Sequence, residues 1–153
     1  MSIRVLGQRL LRADAAAALD VIRGVFRAAR FSRVDVGVTL VLDVEMRALN
    51  RRWRKKDKTT DVLSFSSWEG EFVVGDDRFL GDLVISVEAA ARQARACGHD
   101  VVTEVGVLTC HGLVHLAGLD HECSADEHER QLMVEMGILD AAGLDPRAAL
   151  AGR

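Results

Sequence analysis

The sequence predicts an α/β fold in a single domain. Short β-branched, apolar runs alternate along the chain with longer stretches whose apolar residues recur at helical spacing. The 153 residues suffice for one well-packed core and are too few for two ordinary ones. Hydrophobic residues make up 49% and charged residues 28%, as in a soluble globular protein. Residues 1–140 are expected to form the domain and residues 141–153, which hold the only proline, Pro146, a frayed tail.

Each element has its own signal. Residues 3–6 read as a short strand. Asp14 is placed to cap a helix running to Arg30, with Leu19, Ile22, Phe26 and Ala29 on the stripe that covers the sheet. Residues 36–42 are β-branched and almost continuously apolar, the signature of a buried strand. Asp43 ends that strand and is placed to cap a helix to Arg54, with Met46, Leu49 and Trp53 as its apolar points. Residues 62–65 form another short strand, and 66–80, with turn signals at Gly70 and Gly75 to Asp77, a loop or edge hairpin. Residues 80–85 are a further strand. Ser86 caps the next helix, which Gly98 stops, leaving His99 in an exposed turn. Asp100 caps a helix to Leu116, and Ser124 to Glu127 is a capping box opening a last helix with Leu132, Met133 and Met136 inward and His128 on the surface.

A net charge of −3 offers no global attraction to nucleic acid, so such a partner needs a local basic patch. One exists: Arg51, Arg52, Arg54, Lys55, Lys56 and Lys58 crowd together around Trp53. Such a run either binds phosphates by charge, with the indole as a stacking surface for bases, or is a solvated loop. No stretch approaches the roughly eighteen consecutive apolar residues of a membrane span, and the N-terminus lacks the apolar run of a signal peptide. Cys97, Cys110 and Cys123 are odd in number and form no C-x-x-C pair, which points to a reducing cytoplasm rather than a disulfide framework. Cys110 and Cys123 flank the histidine motif, but small buried thiols are the commoner reading.

The most informative stretch is His111-Gly-Leu-Val-His115-Leu-Ala-Gly118-Leu-Asp-His121. His111 and His115, four apart on a helix, put both rings on one face. Gly118 can take the left-handed conformation that ends the helix, and His121 follows where the returning chain offers a third ring. Three protein ligands leave an open coordination position, as at a catalytic metal. Zinc suits neutral imidazoles, one ion per chain, with nickel or copper also possible. The spacing is that of the metzincin proteases, except that Gly112 stands where a protease carries its glutamate base.

Three blocks together resemble the YbeY family of metal-dependent endoribonucleases. They are the histidine block; Leu49-Asn50, Trp53-Arg54, Asp57 and Thr60 to Phe65; and Leu80 to Ser86. The chain departs from the family pattern at Thr59 and Ser66, where proline is common, at Val107, where histidine is frequent, and at Leu119, where tyrosine is usual. The resemblance covers roughly residues 36–137. It implies a small mixed sheet with packed helices, a zincin-like site with zinc on His111, His115 and His121, and Arg54 as the functional arginine. It further implies single-strand-specific RNA cleavage in ribosomal RNA maturation, notably of the 16S 3′ end, and in ribosome quality control, with ribosomal RNA precursor and small-subunit components as partners.

Within that reading, Arg54 clamps the phosphate, and Arg51, Arg52, Trp53, Lys55, Lys56 and Lys58 hold flanking RNA. Asp82, Asp120 and Glu122 are expected to orient the imidazoles. A peptide-cleaving metallohydrolase is the alternative, against which Gly112 argues; a ribosome-assembly factor with a structural metal is the non-enzymatic one.

Overall fold

The computed structural model describes residues 2–30, 35–67, 79–118 and 124–150. Four strands form one mixed sheet in the order β1-β2-β4-β3: β1 (Ser2–Leu6), β2 (Asp35–Val41), β3 (Val62–Ser66) and β4 (Phe79–Ser86). β1, β2 and β4 are mutually parallel, and β3 lies antiparallel to β4 on the edge, pairing Ser64 with Leu83 and Phe65 with Asp82. Among the described residues five α-helices accompany this sheet, α1 (Ala15–Ala28), α2 (Asp43–Arg54), α3 (Val87–Cys97), α4 (Val101–Leu116) and α5 (Ala125–Ala141), the last packing on α1 and α4. Among the described residues no helix is long and apolar enough to cross a membrane.

Side-chain alternation along the strands builds two cores of unequal size. Val36, Val38 and Leu40 of β2 and Leu83 and Ile85 of β4 face Ile22, Phe26, Val105, Leu108 and Leu113 from α1 and α4. The opposite face is smaller: Val41, Leu63 and Val84 meet Met46 of α2, with Leu49 and Phe65 packed beside them. α4 runs through the larger core and is buried on nearly every side from Glu104 to Leu116, as a helix apolar all round must be.

Local caps fall where expected at three helices. Ser86 Oγ accepts from the Ala89 N–H at 3.2 Å, Asp100 Oδ1 from Thr103 at 2.7 Å, and Ser124 Oγ from Glu127 at 3.2 Å. Gly98 ends α3 in the left-handed conformation. Asp14 and Asp43 do not act as caps. A 3-10 segment, Gln8–Asp14, leads straight into α1, and Asp43 is itself the first residue of α2. Its carboxylate instead accepts from Ser86 Oγ at 2.7 Å, Thr59 Oγ1 at 3.1 Å and Arg92 Nη1 at 2.6 Å.

Three further expectations are corrected. Met133 is exposed rather than inward; α5 turns Gln131, Glu135 and Leu139 into the protein, with Leu132 and Met136 half-buried. His99 is not simply exposed, because its Nε2 lies 2.5 Å from Oε2 of the buried Glu104. The tail is not frayed up to residue 150: Pro146–Leu150 forms a 3-10 turn whose Ala148 and Ala149 join the larger core. The expected turn at residues 70–77 lies outside the described residues.

Candidate active site

α4 delivers two of the predicted ligands together. His111 and His115, one helical turn apart, have ring centroids 4.4 Å apart and planes crossing at 70°. Their Nε2 atoms face each other at 3.0 Å. Nδ1 of His111 lies 2.7 Å from Oε1 of Glu135 on α5, and that oxygen also accepts from Gln131 Nε2 at 3.1 Å. Glu135 and Gln131 are both buried. When Glu135 is ionised its carboxylate only accepts, so Nδ1 of His111 then carries the hydrogen and its Nε2 keeps the lone pair. At this distance the two nitrogens can share a hydrogen, with His115 Nε2–H donating to His111 Nε2, or turn together toward one metal ion. Two nitrogens at about 2.0–2.1 Å from a tetrahedral zinc would stand ~3.3 Å apart, close to the observed separation.

α4 gives way to a turn at Gly118, whose φ of 81° is left-handed and whose N–H donates to the His115 carbonyl at 3.0 Å. His121, Asp120 and Glu122 lie outside the described residues, and among the described residues no three His, Cys, Asp or Glu side chains converge on one point.

Gly112 explains why the position between the histidines carries no side chain. A Cβ there would sit 2.8 Å from Leu83 Cδ2 and 3.3 Å from Val62 Cγ2. The position faces the sheet, so a glutamate placed there would enter the packed layer between α4 and β4. Ser64 Oγ also donates to the Gly112 carbonyl at 3.3 Å, tying β3 to the histidine helix.

β3 also ties in Arg54. Arg54 ends α2, its Nη2 donates to the Ser64 carbonyl at 2.5 Å, and its guanidinium carbon lies 5.3 Å from the centroid of the Phe65 ring. Ser64 thus contacts Arg54 through its carbonyl and the histidine helix through its hydroxyl. Beside Arg54 opens a cleft of about 340 Å³ lined by Asn50, Arg54, Lys56, Lys58, Thr60 and Leu63. Asn50 shapes it: buried, it donates from Nδ2 to the Lys58 carbonyl at 2.8 Å, and its own carbonyl accepts from the Lys56 N–H at 3.2 Å. Lys55 adopts φ 57° to make this turn.

Arg51, Arg52, Trp53 and Lys55 are all exposed but do not line that cleft. Trp53 stands edge-on to Phe65 at 6.4 Å, and Arg52 lies 5.1 Å from the indole centroid. His128 is on the surface as expected, at the rim of a second cleft of about 410 Å³ that reaches His111.

Asp82 does not stand behind either imidazole. Gly81, its neighbour on β4, points at Leu116 of α4, so Asp82 points to the other face, where its carboxylate overlies Gly37. There burial raises its pKa above the usual carboxylate value, and Arg4 offsets this only in part. Glu135 and Gln131 were not legible as site residues. Their only trace is that polar positions 131 and 135 are in helical phase with the buried Leu139.

A model of the Endoribonuclease YbeY family matches residues 8–141. A protein of Aquifex aeolicus named Endoribonuclease YbeY is 46% identical over 108 residues, spanning 71% of this chain and 70% of its own length. One of the same name from Anaeromyxobacter dehalogenans is 43% identical over 141 residues, 88% of this chain and 67% of its own. The solution structure of a Thermotoga maritima protein matches the fold with a TM-score of 0.55 at 26% identity, covering 90% of this chain and 89% of that one. Fold and relatives together define an endoribonuclease, a hydrolase on an α/β scaffold. The chain belongs to the YbeY family.

Proposed function

We propose that this endoribonuclease hydrolyses single-stranded RNA at one zinc ion held by His111, His115 and His121, with Arg54 on the scissile phosphate. The observation that carries the reading is the pair of imidazoles one turn apart on α4, with their Nε2 atoms turned toward each other at 3.0 Å. A bound zinc supplies Lewis acidity and water activation near neutral pH. The chain's own residues do the rest. Arg54, held against Ser64 and Phe65, presents a planar guanidinium to the charge that builds on the phosphoryl oxygens. Lys56 and Lys58 line the adjoining cleft and hold the flanking backbone, while the exposed Trp53 offers a face for a base.

Family membership supports a place in ribosomal RNA maturation, including the 16S 3′ end, and in ribosome quality control, with small-subunit components as partners in the cytoplasm. Purified protein is to be incubated with single-stranded RNA and with precursor ribosomal RNA, with and without chelator, beside His115→Ala. Cleavage that chelator and the substitution both abolish, and that added zinc restores better than nickel or copper, is the expected result. Undiminished cleavage by His115→Ala would overturn the reading.

A further inference from the structure

Among the described residues, the carboxylate that meets the His111 ring comes from the next helix. We propose that Glu135, seated by Gln131, is the positioning residue that fixes the tautomer and aim of the His111 ring. The inference rests on the metal reading above.

Burying a carboxylate is costly unless it is paired. Glu135 is only 4% exposed and accepts at Oε1 from both Gln131 and His111. Its backbone is held at the same point, since the Cys110 thiol donates to the Glu135 carbonyl at 3.6 Å. Side chain and main chain of one residue are therefore registered against consecutive residues of α4, Cys110 and His111.

The consequence falls on the imidazole. A neutral ring has two tautomers, and an unrestrained one samples both and rotates about its last bond. Here its two nitrogens have unlike neighbours: an acceptor-only carboxylate at Nδ1 and a second imidazole nitrogen at Nε2. The carboxylate selects the Nδ1–H form and leaves the Nε2 lone pair aimed at His115. A carboxylate behind a ligating histidine also raises the donor strength of the opposite nitrogen. Gln131, one turn earlier on α5, holds the carboxylate in place.

The test uses the full chain as wild type, Glu135→Leu and Glu135→Gln, each checked for fold by circular dichroism. Nitrogen-15 imidazole spectra of the metal-free proteins read the His111 tautomer, and competition with a chromogenic chelator reads zinc affinity. Wild type is expected to show His111 as Nδ1–H. Glu135→Leu should show mixed tautomers and bind zinc about 10–100-fold more weakly. Glu135→Gln, whose amide oxygen still accepts, should keep the tautomer and recover most of the affinity. A folded Glu135→Leu with wild-type tautomer and zinc affinity overturns the proposal. So does a Glu135→Gln that keeps neither the tautomer nor any of the affinity. Should the wild-type chain take up no zinc, the metal reading falls by that result, and the tautomer comparison still decides whether Glu135 governs the ring.

Discussion

Arg54 and Lys56 line one cleft, carry one charge each, and should fail differently when removed. Arg54 is braced: its guanidinium donates to the Ser64 carbonyl and lies over Phe65, so its position relative to α4 is set before substrate arrives. Lys56 is an exposed point charge in a turn. Arg54→Ala is expected to slow single-turnover cleavage by about 10²–10³ at saturating protein. Lys56→Ala should lower RNA affinity modestly and flatten its salt dependence, with cleavage at saturation unchanged. Equal loss of affinity alone in both variants would reduce Arg54 to one member of an electrostatic patch. Gly112 carries a second residue-scale expectation. Even Gly112→Ala must displace Leu83 and Val62, at a cost of about 1–3 kcal/mol in denaturant titration. Gly112→Glu completes the protease letter pattern, yet the glutamate would be driven into the sheet. It should therefore unfold more readily and cleave no casein, whereas robust peptidase activity would show a protease cage lacking only its base.

At the scale of elements, the four strands and five α-helices among the described residues begin and end within a residue or two of where the sequence places them, whereas the 3-10 segment Gln8–Asp14 left no signal that was read. The caps at Ser86, Asp100 and Ser124 were legible because each bonds three residues ahead in its own chain. What stayed hidden is whatever bridges elements. Asp43 has the composition of a cap, but its partners Ser86 and Arg92 are more than forty residues away, and they make it the tie between α2, β4 and α3. Glu135 was hidden for the same reason, across 24 residues from His111. The Asp43 tie has a pH signature. The Arg92 hydrogen bond, aided by Ser86 and Thr59 and opposed by burial, lowers the folded-state pKa of Asp43 below the ordinary 3.8. A lowered carboxylate pKa gives stability that is fully present above the unfolded-state value and is lost as pH falls through the folded one. Asp43→Asn should therefore cost about 1 kcal/mol at pH 7, Arg92 being half-exposed. Thermal melts in descending pH steps should show the gap between variant and wild type narrowing only below about pH 4. A gap independent of pH down to pH 2 would mean the carboxylate's charge contributes nothing.

Over the whole molecule, sequence reading reached the α/β class and the histidine helix but not the strand order or the closing turn. Strand order depends on which pairings leave both faces covered, information that no single segment carries. The closing turn packs through the small side chains Ala148 and Ala149, and Leu144 just before it sits over Gly106 of α4. So short a segment has no periodicity to read. The finished architecture bears on whether the proposed metal holds the fold together. The large core is aliphatic and aromatic, with Ile22, Phe26, Leu40, Ile85, Leu108 and Leu113 fully or almost fully buried. His111 and His115 are only half-buried, toward the end of α4, and their removal from a metal leaves that core untouched. A structural zinc in a domain without such a core takes the fold with it. Here the ion should stabilise only by linkage, about 2.7 kcal/mol at a hundredfold excess over its dissociation constant. For a chain of this size that corresponds to a Tm lowered by roughly 5–11 °C on chelation. Chelated protein is expected to keep its far-ultraviolet circular dichroism and a cooperative melt while losing RNA cleavage, and zinc should restore both Tm and activity. Loss of the cooperative transition on chelation would instead make the metal part of the scaffold and favour a structural role over a catalytic one.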